Sequence, residues 1–154
     1  MRDRVVAFKR IPASELIPNA KNWRRHPREQ VEMFKELMDE IGFADVVIVR
    51  EVDGGYELLD GHMRTGLLQD ETLPAIIVDL DDEEADVLLA TLDPLGAMAK
   101  ENKERLTDLH DGLREDIAQR LKDMPAFNRT VEREPSHTVR QPFECPECGF
   151  EFGN

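Results

Sequence analysis

Tyr56-Glu57-Leu58-Leu59-Asp60-Gly61-His62-Met63-Arg64 is the stretch whose reading decides the fold. It reads as a strand that stops at a glycine and turns at once into a helix. Asp53-Gly54-Gly55 precedes it and is a strong hairpin signal. Gly61 permits backbone angles that a side chain forbids. Met63, Leu67 and Leu68 then fall at helical spacing, predicting a helix over residues 62–69. Such a junction leaves the N–H groups of the first helical turn unpaired, where they favour an anion. Arg64 stands in that turn against the helix dipole, a placement that makes sense if a negative group binds between the two. The plainer alternative is a solvated arginine after an ordinary turn.

Working outward, the hairpin pairs this strand with Val46-Val47-Ile48-Val49. Before that, Val31, Phe34, Leu37, Met38 and Ile41 form one apolar face, predicting a helix over Arg28–Ile41 that starts after Pro27 and ends at Gly42. Residues 5–8 are β-prone, and residues 11–19 are punctuated by proline with room for one helical turn. Downstream, Ala75-Ile76-Ile77-Val78 is apolar on both faces, so residues 72–80 read as an inner strand. A further helix runs to Asp93-Pro94, where the proline is expected to break or restart it. Leu106, Leu109, Leu113, Ile117 and Leu121 predict a helix over residues 102–122 with a near-heptad seam, suited to packing on the core or on a second chain.

Charge narrows the function classes. The chain of 154 residues carries 33 acidic and 20 basic side chains, a formal net charge of −13. That overall field repels DNA phosphates and argues against indiscriminate nucleic-acid binding. The exception is local. Lys21, Arg24, Arg25 and Arg28 fall within eight residues that hold no acid, with His26 among them. This loop is a second place that attracts an anion, or else an ordinary exposed segment before a helix. Trp23 lies in it, expected to plug the core edge rather than stack on a base. Asp79, Asp81, Asp82, Glu83 and Glu84 form an acidic run. Asp81 and Asp82 are candidate magnesium ligands beside a phosphate, against the plainer reading of a capped, solvated helix start. No stretch approaches the run of about 18 apolar residues that crosses a membrane. The N-terminus also lacks the apolar region of a signal peptide, so a cytoplasmic protein with no membrane partner is expected.

The cysteines, Cys145 and Cys148, stand in Phe143-Glu144-Cys145-Pro146-Glu147-Cys148-Gly149-Phe150. The spacing has the shape of a zinc knuckle. A closed zinc site needs four ligands, so His137 or the cysteine pair of a second chain would have to complete it. A redox dithiol and a metal-free turn are the alternatives. Residues 125–142, polar and proline-containing, read as a linker.

Taken together, the strand with Ile11-Pro12, the loop Asn22-Trp23-Arg24-Arg25-His26-Pro27, the helix, the hairpin and Asp60-Gly61-His62-Met63-Arg64 resemble the N-terminal domain of ParB-type partition proteins. That superfamily also holds sulfiredoxin and a free-serine kinase. The Gly-His-x-Arg box is most similar to stand-alone ParB-like proteins of phages and mobile elements, whereas chromosomal partition proteins read Gly-Glu-Arg-Arg. The resemblance implies a small α+β domain with a mixed sheet and packed helices over residues 1–98. A C-terminal helical segment (99–124), the linker (125–142) and a knuckle-like tail (143–154) complete the expected layout.

It further implies CTP or ATP bound with Mg²⁺. Asn22, Arg24, Arg25, Gly61, His62, Met63 and Arg64 would hold the nucleotide, and His62 and Asp60 would assist proton transfer or hold the metal. Nucleoside triphosphate hydrolysis or phosphotransfer would follow. The chain departs from the family where Glu-Asn-x-x-Arg would stand, since it reads Thr-Leu-Asp-Pro-Leu-Gly at 91–96. Position 62 is not cysteine, which sets sulfiredoxin chemistry aside. No helix-turn-helix pattern follows, so operator binding of the partition type is not expected, and no His/Asp cluster suggests a nuclease. The competing expectation is a dimeric adaptor that uses the core and the knuckle to hold a protein or DNA partner.

Overall fold

Alternation of apolar side chains along short strands builds the core. In the computed structural model, which describes residues 1–100, 102–123, 143–144 and 151–152, the chain forms two units, Met1–Lys100 and Glu101–Asn154. The first unit holds a five-stranded mixed sheet. Its strands are β1 (Val5–Pro12), β2 (Leu16–Ile17), β3 (Val47–Val52), β4 (Gly55–Asp60) and β5 (Thr72–Val78), in the order β1-β5-β3-β4-β2. β1 is antiparallel to β5, β5 parallel to β3, β3 antiparallel to β4, and β4 parallel to β2. Every second residue of the inner strands faces one core. Val47, Val49, Leu58 and Ala75 have no exposed surface, and Ile11, Ala13, Leu16, Leu73 and Ile77 join them. β5 lies between β1 and β3, which agrees with its apolar reading.

The helices of this unit are α1 (Arg28–Ile41), α2 (His62–Leu67) and α3 (Asp82–Ala97), and one 3₁₀ turn spans Ala13–Glu15. α1 has the expected bounds, and its C-cap Gly42 takes φ 77°. Its apolar face is only partly covered, with Leu37 and Ile41 exposed. α3 packs against β4 and is started by Asp81, whose side chain accepts from the Glu84 N–H while the Glu84 side chain accepts from the Asp81 N–H. Pro94 does not break α3. It stands in the last turn, so it removes one ladder bond and the helix runs on to Ala97.

In the second unit the single helix expected over residues 102–122 is two helices, α4 (Lys103–Asp111) and α5 (Glu115–Asp123). Gly112 caps α4, its N–H donating to Asp108 and His110 carbonyls, and Leu113 continues the tightened turn. Glycine costs about 1 kcal/mol against alanine inside a helix, and a seam this short does not offset it. The described parts of the tail are the two strands β6 (Phe143–Glu144) and β7 (Glu151–Phe152), paired antiparallel. Cys145, Cys148 and His137, the expected zinc ligands, and the linker lie outside the described residues.

Candidate functional site

Gly61 shapes the site. It takes φ 101° and ψ 17°, a left-handed conformation that L side chains rarely adopt. A Cβ there would meet Val47 Cγ1 at 2.5 Å and Arg64 Nη1 at 3.1 Å. Only a glycine lets β4 pass so close to the buried Val47 and turn directly into α2. The turn carries His62, Met63 and Arg64 into the first turn of that helix.

Arg64 is not a solvated surface side chain. Its side chain is 20% exposed, and its guanidinium forks onto two carboxylates, Nε to Asp45 at 2.5 Å and Nη1 to Asp60 at 2.9 Å. Asp45 is itself held, because its other oxygen accepts from the Val46 N–H at 2.7 Å.

The cationic loop is built on asparagines. Asn19 is buried, and its Oδ1 accepts from the Lys21 N–H while its carbonyl accepts from the Asn22 N–H. Asn22 Oδ1 in turn accepts from the Arg24 N–H at 3.2 Å. The Asn19 N–H donates to His62 Nε2 at 3.2 Å, which ties the loop to the glycine turn across 43 residues of sequence. Acceptance at Nε2 puts the His62 proton on Nδ1. Burial pushes the His62 pKa down, outweighing the upward pull of Asp60, and His26 nearby pushes the same way. His62 is therefore a neutral ring near pH 7.

Three polar ties fasten the loop to α3. Lys21 pairs with Asp86 at 2.5 Å, the Trp23 indole N–H donates to the Leu89 carbonyl at 3.2 Å, and Arg24 pairs with Asp93 at 2.7 Å. Trp23 is 58% exposed, so it is not the expected core plug. Its N–H finds a carbonyl on α3, and the Arg24 guanidinium lies over its ring at 5.6 Å.

These elements enclose a cleft of about 440 Å³. Asn22, Arg24, Asp60, Gly61, His62, Met63 and Arg64 all line it, so residues from two distant segments meet as the sequence suggested. Arg25 does not line this cleft; it borders an adjoining recess of about 260 Å³ with Trp23, Arg24, His26 and Gln30. The Asp81 and Asp82 expectation is corrected. Asp81 caps α3, Asp82 pairs with Arg50 at 2.7 Å, and neither lines the cleft. Among the described residues no group of three or more His, Cys, Asp or Glu side chains is placed to hold a metal ion. Sequence reasoning missed Asp45 and Asp93, which also line the cleft. Their signals are faint: one acid before a strand, and one before a proline that was read as a helix breaker.

No family model matches the sequence. The nucleoid occlusion protein of Halalkalibacterium halodurans is 32% identical over 124 residues, which span 72% of this chain and 42% of that protein. The chain thus covers less than half the length of that curated relative. The crystal structure of the C-terminally truncated chromosome-partitioning protein ParB from Caulobacter crescentus, complexed with CTP-γ-S, shares the fold. Its TM-score is 0.56 at 20% identity, over 81% of this chain and 71% of that one. The chain carries a ParB-like domain. In this ParB-like domain the glycine turn and the cationic loop face one another across the cleft, with His62 as the link between them. Among the described residues no helix is long and apolar enough to cross a membrane.

Proposed function

We propose that this ParB-like domain binds a nucleoside triphosphate, CTP or ATP, in the cleft between Arg24 and Arg64. The observation that carries the reading is the convergence of those two guanidiniums, from the loop before α1 and the first turn of α2, into one cavity. Its volume falls in the range of about 300–1,000 Å³ usual for small-molecule sites. Arg64 has donors at Nη2 beyond those used by Asp45 and Asp60, suited to phosphate oxygens. The solved partition protein that shares the fold is complexed with CTP-γ-S, which supports the same class of ligand here.

A magnesium ion fits the site as a companion of the phosphates rather than as a resident. Mg²⁺ commonly takes one or two carboxylates plus phosphate oxygens, and Asp60 and Asp45 are the cleft carboxylates nearest Arg64. His62 Nε2 is already committed to the Asn19 N–H, so the ring serves first as an anchor of the loop. The acidic balance of the chain favours a protein partner over naked duplex DNA.

Calorimetric titration with the four ribonucleoside triphosphates and magnesium tests the reading. One-to-one binding of CTP or ATP that is lost in Arg64→Ala is expected. Absence of binding at millimolar nucleotide, or binding indifferent to Arg64→Ala, would refute it. Phosphate release followed in parallel decides turnover.

A further inference from the structure

Both cationic groups of the cleft are already paired with carboxylates, and the two pairings differ in kind. On the Arg64 side two acids share one cation: Asp45, which also accepts from the Val46 N–H, and Asp60 at the end of β4, so losing one pairing leaves the other. On the Arg24 side, Asp93 stands in α3, and among the described residues Arg24 is its one partner. That pair is part-exposed, 40% for Arg24 and 27% for Asp93. Asp86, Leu89 and Asp93 are spaced by three and four residues and lie along one face of α3. Two of the three ties to the loop do not involve Arg24. The loop therefore stays docked when Arg24 changes partner.

We propose that Asp93 is a built-in competitor for the polyphosphate. Its carboxylate occupies the Arg24 guanidinium in the ligand-free domain, and an incoming triphosphate takes its place, while Arg64 keeps its acids and adds its remaining donors. The inference rests on the cleft being a triphosphate site. Its consequence is selectivity by charge. A ligand with one phosphate reaches one arginine only and gains too little to displace Asp93 from Arg24. A ligand with a run of phosphates, accompanied by magnesium, exchanges one charge-assisted pair for a stronger one.

The test is calorimetry with inorganic triphosphate and with CTP, each with magnesium, on the whole chain as wild type, Asp93→Asn, Arg24→Ala and the double variant. Asp93→Asn is expected to tighten both probes by roughly three- to tenfold, from the lost ion pair and the lost local repulsion. Most of that gain is expected to vanish when Arg24 is alanine. Asp93→Ser, a second neutral side chain, is expected to behave like Asp93→Asn. Unchanged or weaker affinity in both neutral variants, with binding still lost in Arg64→Ala, would overturn the competitor and leave the triphosphate site standing. A gain equally large in the Arg24→Ala background would also overturn it. Failure of wild type and Asp93→Asn alike to bind either probe would overturn both readings.

Discussion

The two cationic ends of the cleft are built in opposite ways. Arg64 grows out of the core. Its backbone is set by a glycine pressed against Val47, and its guanidinium is held by two acids, one of them fixed in turn by the Val46 N–H. Arg24 rides on a loop whose shape comes from asparagine side chains and whose position comes from ties to α3. One end is a fixed electrode and the other an adjustable one. If the cleft takes a triphosphate as proposed, that division suits it. The rigid end needs no reorganisation on binding, and the loop end exchanges partners at a cost of about 1 kcal/mol or less.

The comparison breaks most sharply at Gly61. Gly61→Ala combines a strained φ with a contact at 2.5 Å to a fully buried side chain. A loss of about 2–5 kcal/mol in unfolding free energy is expected, read by urea denaturation. An alanine accepted within about 0.5 kcal/mol would show that the core does not set the rigid end. Arg64→Ala comes next. It leaves Asp45 and Asp60 facing one another without their cation, and a destabilisation of about 1–2 kcal/mol should accompany the loss of nucleotide binding. At the other end, Arg24→Ala removes one part-exposed pair. Its stability cost should stay below about 1 kcal/mol, while nucleotide affinity falls about tenfold. Equal stability losses for the two arginines would erase the contrast.

The smallest effect is the pH dependence of the link between the ends. Burial holds the His62 pKa below its ordinary value of 6.5, so the unfolded chain binds this proton more readily. The sign follows: the His62 contribution is full above about pH 6.5, declines as pH falls below it, and levels off beneath the folded pKa. Thermal melts between pH 7.5 and 5.5 should show that decline, and His62→Gln should reduce it. A pH profile identical in wild type and variant would detach His62 from the loop.

Much of this was legible in the sequence, for reasons that differ by region. The hairpin, the strand-to-helix turn and α1 are encoded locally, in Asp53-Gly54-Gly55, in Gly61 and in a face repeated every three to four residues. Gly61 and the Arg24–Arg64 meeting were readable because a glycine between strand and helix, a cation in the first helical turn and a basic run that holds no acid stand out in the sequence itself. The partners were not. Asp45 and Asp93 reach the cleft only through the sheet order and the docking of α3, which no local pattern reports. Trp23 was misread because a lone aromatic in a loop carries no periodicity to say which way it faces. Asp81 and Asp82 were misread as ligands because an acidic run looks the same whether it caps a helix or binds a metal. The uninterrupted helix over 102–122 failed at Gly112, where the apolar spacing outweighed the glycine in the reading but not in the fold.

A co-crystal structure with CTP or ATP and magnesium tests the central claim most directly. The expected result is triphosphate density between the Arg24 and Arg64 guanidiniums, with the Asn19 N–H still on His62. Nucleotide bound elsewhere on the domain, or both arginines still paired to Asp93, Asp45 and Asp60 with no phosphate between them at saturating ligand, would contradict it.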